Sequence, residues 1–483
     1  MQRSKSTLVK GVTLTAGVAL ATTALILAGC AAMSSAVDSG ATAASKATVP
    51  FSITDAPGDE VIAASLTLNS IVLTDSSGKT ASILSSPVSF EAAHLDAVQE
   101  PLFTAAVPED TYTSIAFTYS NAQVAYIDPT TKQLVQATAT LASTGQTIAF
   151  STPIVINNTT TSLLIDYLVA KSVAISGTTV TVTPDFAVTA APIPSQPTNG
   201  TNGLQCGIQG MVTALGSNSF TLTNASGTAL AINVNSSTQY QGLSGFSALA
   251  VGALVEVDTI TQSDGTLLAS RVAEQGPPPP SGGTPLQMLV GPVLAVTGSP
   301  ATTFTQVVQQ QIGGSSAASS LETDTIAINS TTAFQLPQRL GNVTGGVTPF
   351  TPVFSASTLF AGQVVSVATS GVTSNSATAA SVSLSPQTID GTVSAITSAT
   401  GTAGYSTYTV TLDSGSWLAT LTGKTTVTVY ANGNVQSINA SQIAVGSAAR
   451  FNGFLFNNNG SLALLADVQA DGPGHPIGPP PQQ

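Results

Sequence analysis

Charge is what this chain has least of. Only 7% of its 483 residues are Asp, Glu, Lys or Arg, where soluble domains usually carry about 25%. Eleven are basic and 23 acidic, for a formal net charge of −12. So small a basic complement argues against a nucleic-acid partner and against electrostatic docking on anionic lipid. Histidine is as scarce, His94 and His475 being the only two. A Ser-His-Asp triad needs a His beside its Ser, and His475 lies in a Pro/Gly tail. There is no Gly-x-Ser-x-Gly elbow, His-Glu-x-x-His, phosphate loop or Cys-x-x-Cys. The inventory that acid–base and nucleophilic catalysis require is missing, so the chain reads as a non-enzyme, with a hydrolase as the least favoured alternative. Aromatic residues are few: one Trp, eight Tyr and sixteen Phe. Most fall on alternating strand positions, which is a core pattern. Tyr126, Tyr240, Tyr405 and Trp417 fall near turns and are the candidates for exposed rings of the kind that glycan-binding modules present.

Cysteine is the next shortage, with Cys30 and Cys206 alone. Cys30 ends a distinctive leader. Arg3, Lys5 and Lys10 precede an apolar run from Val12 to Leu27, too short and too weakly flanked to span a membrane, and small residues follow. That order is a secretory signal over residues 1–29. Its ending, Leu27-Ala28-Gly29-Cys30, resembles the lipobox of bacterial lipoproteins. The resemblance implies that Cys30 is acylated and becomes the first residue of the mature chain, anchored to the membrane by its lipid. The other reading is an ordinary signal peptide with an incidental Cys. Cleavage removes three basic residues and no acidic one, leaving a net charge of −15. Ala31, rather than an Asp, follows the Cys, which favours the outer membrane or cell surface over the inner membrane. Cys206 then has no disulfide partner and is read as a passive small residue at a strand start, the alternative being a reactive thiol.

What the chain has in abundance is Thr, Val, Ala, Ser and Gly. β-Branched residues suit a pleated, half-buried surface, and 42% apolar residues supply material for cores, so the fold class is all-β. Residues 30–48 are a flexible tether of small polar residues. Residues 49–190 carry short alternating runs: Val49 to Thr54; Leu66, Leu68, Ile71 and Leu73; Tyr112, Ile115, Phe117 and Tyr119; Leu163 to Tyr167; Val180, Val182 and Phe186. Turn signals at Asp55-Ala56-Pro57-Gly58-Asp59 and Asp75-Ser76-Ser77-Gly78 separate some of them, which predicts a β-sandwich. Val88 to Ala106 has fewer β-formers and is expected to hold one short helix around Ala92 to Leu95.

After a Pro/Gly/Asn linker at 191–203 comes an internal repeat. Gly210-Met211-Val212-Thr213-Ala214, Gly291-Pro292-Val293-Leu294-Ala295 and Gly391-Thr392-Val393-Ser394-Ala395 open three copies. From the later Gly to the closing Val the interval is 20 residues (Gly252 to Val272), 20 (Gly362 to Val382) and 22 (Gly446 to Val468). Each copy holds five or six short strands and too few residues for a large core. A small barrel, which removes exposed edges, is therefore predicted for 204–275, 286–387 and 388–471. A semi-rigid Pro/Gly spacer at 276–285 joins the first two, and residues 472–483 form an unstructured tail. Copy two carries low-complexity insertions at Gln306 to Ser320 and around Pro337 to Pro352, read as loops on the barrel surface, where length costs little.

The first unit resembles a family of uncharacterised domains at the N-terminal end of bacterial envelope lipoproteins. The resemblance rests on the turn Thr54-Asp55-Ala56-Pro57, the strand Asp110-Thr111-Tyr112-Thr113-Ser114-Ile115 and the late strand Leu163 to Tyr167. The repeats resemble a second uncharacterised family of small OB-like β-barrels found in tandem in such lipoproteins, copy one most closely. Neither resemblance implies any chemistry. An OB-like barrel suggests nucleic acid by analogy, but the basic groove and stacking platform are absent.

The candidate site is acidic. Asp55, Asp59 and Glu60 cluster in the first turn, and Glu91, His94 and Asp96 follow about 35 residues on. In so uncharged a chain this grouping stands out. Asp55, Asp59, His94 and Asp96 are the candidate ligand or Ca²⁺ positions; the plainer role of such residues is to cap backbone N–H groups. No other cofactor is indicated. The function read from these observations is a non-catalytic, lipid-anchored envelope scaffold or binding protein, elongated on its spacers, with envelope glycan or protein as partner and a glycan- or Ca²⁺-binding role as the alternative. One test follows from the leader: intact-mass analysis of the mature protein is expected to start at Cys30 and to carry a diacyl or triacyl group. An unmodified N-terminus elsewhere would discard the lipobox.

Overall fold

Odd spacings inside the alternating runs already call for bulges. Leu68 and Ile71 lie three apart, as do Tyr112 and Ile115, so a regular strand would turn one of each pair outward. The computed structural model describes residues 45–471 apart from 56–57, 96–98, 158–160, 194–203, 263, 277–284, 314–320, 338–339, 341–347, 399–403, 414, 433–435 and 439–442. In it, strand Ala63–Asp75 pairs antiparallel with Asp110–Ile127, with a bulge between Leu68 and Ser70. Asp110–Ile127 also pairs with Gly145–Ile156, with a bulge between Tyr112 and Ser114. An inserted residue restores the inward direction after each break. Leu66, Leu68, Ile71, Leu73, Ile115, Phe117 and Tyr119 are all buried as a result.

They face a second sheet of four strands in the order Phe186–Pro192, Thr161–Tyr167, Lys46–Asp55, Glu100–Pro108. Lys46–Asp55 runs parallel to Thr161–Tyr167, and Val49, Phe51, Ile53, Leu163, Ile165 and Tyr167 fill the space between the sheets. Phe186 stacks on both Phe117 and Tyr167 with ring centroids 4.9 Å apart. The first unit is a β-sandwich. The short helix appears as one 3₁₀ turn, Ala93–Leu95. The region around it is richer in strand than its composition predicts: Val88–Glu91 and Glu100–Pro108 pair with Ala63–Asp75 and Lys46–Asp55. Neighbouring strands override weak local preference there.

The three repeats have one topology. Their strands are Leu204–Leu215, Ser219–Asn224, Ala229–Asn233, Gln239–Gln241, Leu254–Thr261 and Leu267–Glu274 in the first. The second has Gln287–Gly298, Ala301–Val307, Thr323–Ala327, Ala333–Gln335, Val364–Thr369 and Ser376–Leu384. The third has Gln387–Thr397, Ser406–Leu412, Thr426–Ala431, Gln436–Ile438, Ala448–Asn458 and Ser461–Asp471. In each copy the first strand pairs antiparallel with the second and the fifth. The third closes the barrel by pairing in parallel with the sixth. The short fourth lies parallel to the sixth. Closure of order 1-2-3-6-5 removes the edges of the five main strands and leaves the minor fourth strand as an edge, as an OB-like barrel requires.

The recurring Gly and Val positions explain why the repeat is visible at all. A bulge follows Val212, Val293 and Val393 in the first strand of each copy. There the Val N–H donates to the carbonyl of Ala253, Gln363 or Ser447 at 2.9, 2.8 and 2.9 Å. Its carbonyl accepts from the N–H of Gly252, Gly362 or Gly446 at 2.7, 2.8 and 2.7 Å. Those glycines have φ of +88°, +102° and +91°, a region that costs other residues steric strain. The opening glycines serve differently. A Cβ on Gly391 would sit 2.1 Å from the Thr411 carbonyl oxygen, and one on Gly291 would sit 1.9 Å from that of Val307. Only glycine lets the first two strands approach so closely.

The tandem modules pack on one another. All described residues fall in one compact unit. Ile62, Ala63, Ala125 and Ile127 of the sandwich share a buried cluster with Leu254 of barrel one, Met288 and Val290 of barrel two, and Trp417 and Phe451 of barrel three. Apolar surface that no single small module could bury alone is covered by its neighbours. The insertion after Gln306 is also more than a surface loop. Gln310–Ile312 is a strand that pairs antiparallel with Met288 to Val290, and it turns toward the sandwich. Gly391→Ala is expected to lower the urea midpoint by the equivalent of about 1–3 kcal/mol, the usual cost of overpacking. Gly446→Ala, where φ is positive but space is open, is expected to cost about 1 kcal/mol. An unchanged midpoint in Gly391→Ala would show that the strands can separate without loss.

Candidate functional site

The short helical turn after strand Val88–Glu91 is fixed by its own first residues. Glu91 Oε1 accepts the backbone N–H groups of Ala64 and Ala93 at 2.8 and 2.9 Å, and Oε2 accepts that of His94 at 3.0 Å. The turn holds the His94 ring between two carboxylates. Nδ1 lies 3.0 Å from Glu91 Oε2, and Nε2 lies 3.4 Å from Glu100 Oε1. Burial alone would depress the imidazole pKa; the charge of Glu100 and its hydrogen bond, reinforced by Glu91, outweigh it and raise it from 6.5 to about 10. His94 is therefore a buried imidazolium.

In front of this group opens a cavity of about 430 Å³. Its walls come from three modules. The sandwich supplies Ser65, Leu66, Phe90 and Gln123, barrel one supplies Ala225 and Ser226, and barrel two supplies Val308 to Gln311. Behind His94 and Glu100 lies a smaller space of about 110 Å³ that Asp59, Gln209, Gln309, Gln387, Trp417 and Asn452 also line. Side chains bridge the modules around both. Gln310 Nε2 and Asn224 Nδ2 each reach Glu100 at 3.5 Å. Gln309 Nε2 donates to the Ile62 carbonyl, and Gln205 Nε2 donates to Ser52 Oγ at 2.8 Å.

Asp59 anchors barrel three. Its carbonyl accepts the Trp417 N–H at 2.9 Å, and its Oδ2 accepts from Ser416 Oγ at 3.2 Å. Ser416 also caps the helix Trp417–Thr422 by accepting the Ala419 N–H. Burial, and next the charge of Asp390, push the Asp59 carboxyl well above the ordinary 3.8. Asp390 itself grips the fully buried Arg450 through two contacts of 2.7 and 2.9 Å, a bidentate geometry that fixes both side chains.

Of the positions singled out in the sequence, Asp59 and His94 meet at the smaller space, whereas Asp55 does not line either cavity. It is fully buried and its Oδ1 accepts the Val169 N–H at 3.1 Å, which ties the first strand to the turn Val169–Ser172. Cys30, Asp96 and His475 lie outside the described residues, as does the side chain of Cys206. Among the described residues no three His, Cys, Asp or Glu side chains are grouped so as to hold a metal ion. The expected exposed rings are mostly inside: Tyr126 is 3%, Trp417 8% and Tyr405 9% exposed, and only Tyr240 is half-buried. Turn proximity misleads because Tyr126 packs into the sandwich's own core and Tyr405 meets Asn432 of its own barrel, while Trp417 is covered by the sandwich. Glu100 and Gln309 to Gln311 carry no sequence signal as site residues, save that the glutamines occupy an insertion that the other two copies lack.

Comparison with known families gives two matches. Residues 46–183 match the model described as Domain of unknown function (DUF4382), and residues 209–273 match Domain of unknown function (DUF5666). The first begins with strand Lys46–Asp55 and ends just past strand Thr179–Val182, within the sandwich. The second covers barrel one from within its first strand to the end of its last. Barrels two and three lie outside both, although they share barrel one's strand order. No curated protein matches the chain.

The titrating groups at the junction give a signed prediction. The folded pKa of His94 is raised, so its contribution is complete below pH 6.5 and is lost as pH climbs through about 10. His94→Gln is expected to be less stable than the wild type below pH 6.5, with the gap closing toward pH 10. Asp59 is also raised, so its ionisation erodes stability as pH rises from 3.8. Asp59→Asn keeps the polar contact without a charge and is expected to flatten that acid limb. Urea midpoints across pH 4–10 check both; parallel curves for the wild type and both variants would refute the assignment.

Proposed function

We propose that this is a non-catalytic cell-envelope lipoprotein, tethered through acylated Cys30, whose folded part binds a small polar ligand in the junction cavity. The cavity carries the binding half of the reading: about 430 Å³ falls within the roughly 300–1,000 Å³ of small-molecule sites, and such sites favour domain interfaces. The tether rests on the Leu27-Ala28-Gly29-Cys30 ending and on the resemblance of the first unit, carried by its Thr54-Asp55-Ala56-Pro57 turn, to domains of bacterial envelope lipoproteins. The non-catalytic part is supported by His94. Both its ring nitrogens face carboxylates and it is protonated at neutral pH, so it has no lone pair to offer a nucleophile. An outer-membrane or surface position, with the membrane contacted by lipid alone, follows from the acyl anchor and Ala31.

Fractionation of cells tests the tether. The wild type is expected in the detergent-extracted membrane fraction and Cys30→Ser in the soluble exported fraction. Wild-type protein that is soluble without detergent would overturn the anchor. Turnover of an ester, glycoside or peptide by the purified protein would overturn the non-catalytic half.

A further inference from the structure

Closure spares the barrels most of their edges, but the sandwich is two open sheets with edges to account for. Strand Thr80–Ser82 is three residues long and follows Lys79. Leu134–Thr138 is met by barrel two, where Gln136 Nε2 donates to the Leu321 carbonyl. Glu100–Pro108 meets barrel one, Asn224 Nδ2 lying 3.5 Å from Glu100. Phe186–Pro192 has its first N–H taken by Gln146 Oε1 at 3.0 Å. Short length, a nearby lysine and cover by a neighbour are the usual guards of an edge.

Gly145–Ile156 has none of those three. It is twelve residues long and pairs with Asp110–Ile127 on one side; among the described residues no strand pairs with its other side. No charged residue lies between Lys132 and Asp166. Residues 145–155 are all exposed or half-buried, Val155 being 54% exposed. Ile148, Phe150 and Ile154 touch the sandwich core but are only partly covered, as are Val188 and Ala190 of Phe186–Pro192 nearby. The core is thus incompletely covered along this edge.

The pattern of the strand points to its partner. Laid antiparallel on a copy of itself about Ser151, it sets Ile148 opposite Ile154, Phe150 opposite Thr152 and Thr147 opposite Val155. Side chains alternate between faces with period two. In this register inward residues therefore meet inward residues, and a shift of one would break that match. Apolar and β-branched cross-strand pairs stabilise a sheet, and two-fold symmetry supplies them to a second copy without further specification. A net charge of −12 opposes close approach of two copies, and an uncharged stretch is where it opposes approach least.

We propose that two copies of the protein associate through Gly145–Ile156, whose free edges pair antiparallel about Ser151 and join two sandwiches in one continuous sheet. The seam over residues 147–155 runs for about 30 Å and covers Ile148, Phe150 and Ile154 of both copies. Pro153, which has no N–H, falls opposite Ala149 and removes one donor from each half of the ladder; the other residues of the seam keep theirs. None of these residues lines the junction cavity, so association and ligand binding are separate properties.

Sedimentation velocity of the full mature protein in detergent, from micromolar to submillimolar concentration, is expected to show a monomer–dimer equilibrium. Ala149→Lys and Val155→Lys each put a lysine on the seam and are expected to weaken the dimer at least about tenfold, with melting temperatures of the monomer within a few degrees of the wild type. In a Cys206→Ser background, Ser151→Cys is expected to close an intermolecular disulfide on mild oxidation, because directly opposed residues have Cα atoms about 4.5–5.5 Å apart. Thr147→Cys in the same background is expected to stay reduced, its two copies lying about 26 Å apart. Protein that stays monomeric throughout would overturn the proposal, and so would a dimer that neither lysine weakens. A dimer trapped by Thr147→Cys as readily as by Ser151→Cys would overturn the pairing about Ser151.

Discussion

A strand at the edge of a sheet exposes unpaired N–H and C=O groups, and lysines are a common guard against edge-to-edge association. With eleven basic residues in 483, this chain cannot guard its many strands in that way. Closure is the alternative, and the rest of the architecture depends on it. In each barrel the third strand pairs in parallel with the sixth, so the principal edges vanish without any charge being used. The closing geometry is held by a bulged Val that exchanges backbone hydrogen bonds with the segment opening the fifth strand. The glycines at 252, 362 and 446 permit the turn there. Three copies of so specific a backbone arrangement account for the survival of the Gly and Val spacing when most other positions have drifted.

Closing the barrels leaves their small cores short of apolar burial, and docking them on one another supplies the remainder. The contacts that do this are mostly neutral. Gln205 reaches Ser52, Gln363 reaches the Leu455 carbonyl at 3.0 Å, and the Trp417 N–H reaches the Asp59 carbonyl. Neutral hydrogen bonds cost less to desolvate than ion pairs when buried. Few charged groups enter the junction, and the cations among them meet carboxylates: Arg450 meets Asp390, and His94 meets Glu91 and Glu100. The insertion that distinguishes copy two, Gln306 onward, is where the repeat departs from its own pattern, and that departure builds the cavity wall.

Much of the fold was legible in residues. The three-residue steps from Leu68 to Ile71 and from Tyr112 to Ile115 encode bulges, and the 20-, 20- and 22-residue intervals encode barrels that family models match only in copy one. Local periodicity reports which face of a strand is buried. It does not report what buries the turns between strands. Tyr126, Tyr405 and Trp417 therefore read as exposed. The acidic cluster was half legible for the same reason. Asp59 and His94 do converge, but on partners from sequence positions as distant as Asp390, Ser416 and Gln310, which no spacing rule connects to them. Asp55 went to a capping role within the sandwich.

The balance of neutral and ionisable groups at the junction has a consequence for how the modules hold together. Contacts such as Gln205 with Ser52 carry no charge, so added salt has little on which to act. The Asp390–Arg450 pair is fully buried and is screened weakly at most. Protons act differently. Asp59 and His94 both bind a proton more tightly in the folded chain than in the unfolded one, so their effects on stability have the same sign and add as pH rises. His94 separates the two cavities and contacts Glu100, which in turn meets barrels one and two. Loss of its proton would leave two buried carboxylates facing a neutral ring at the place where three modules meet. The assembly is thus built to be indifferent to ionic strength and sensitive to alkali, and the sensitive point is the wall of the cavity itself.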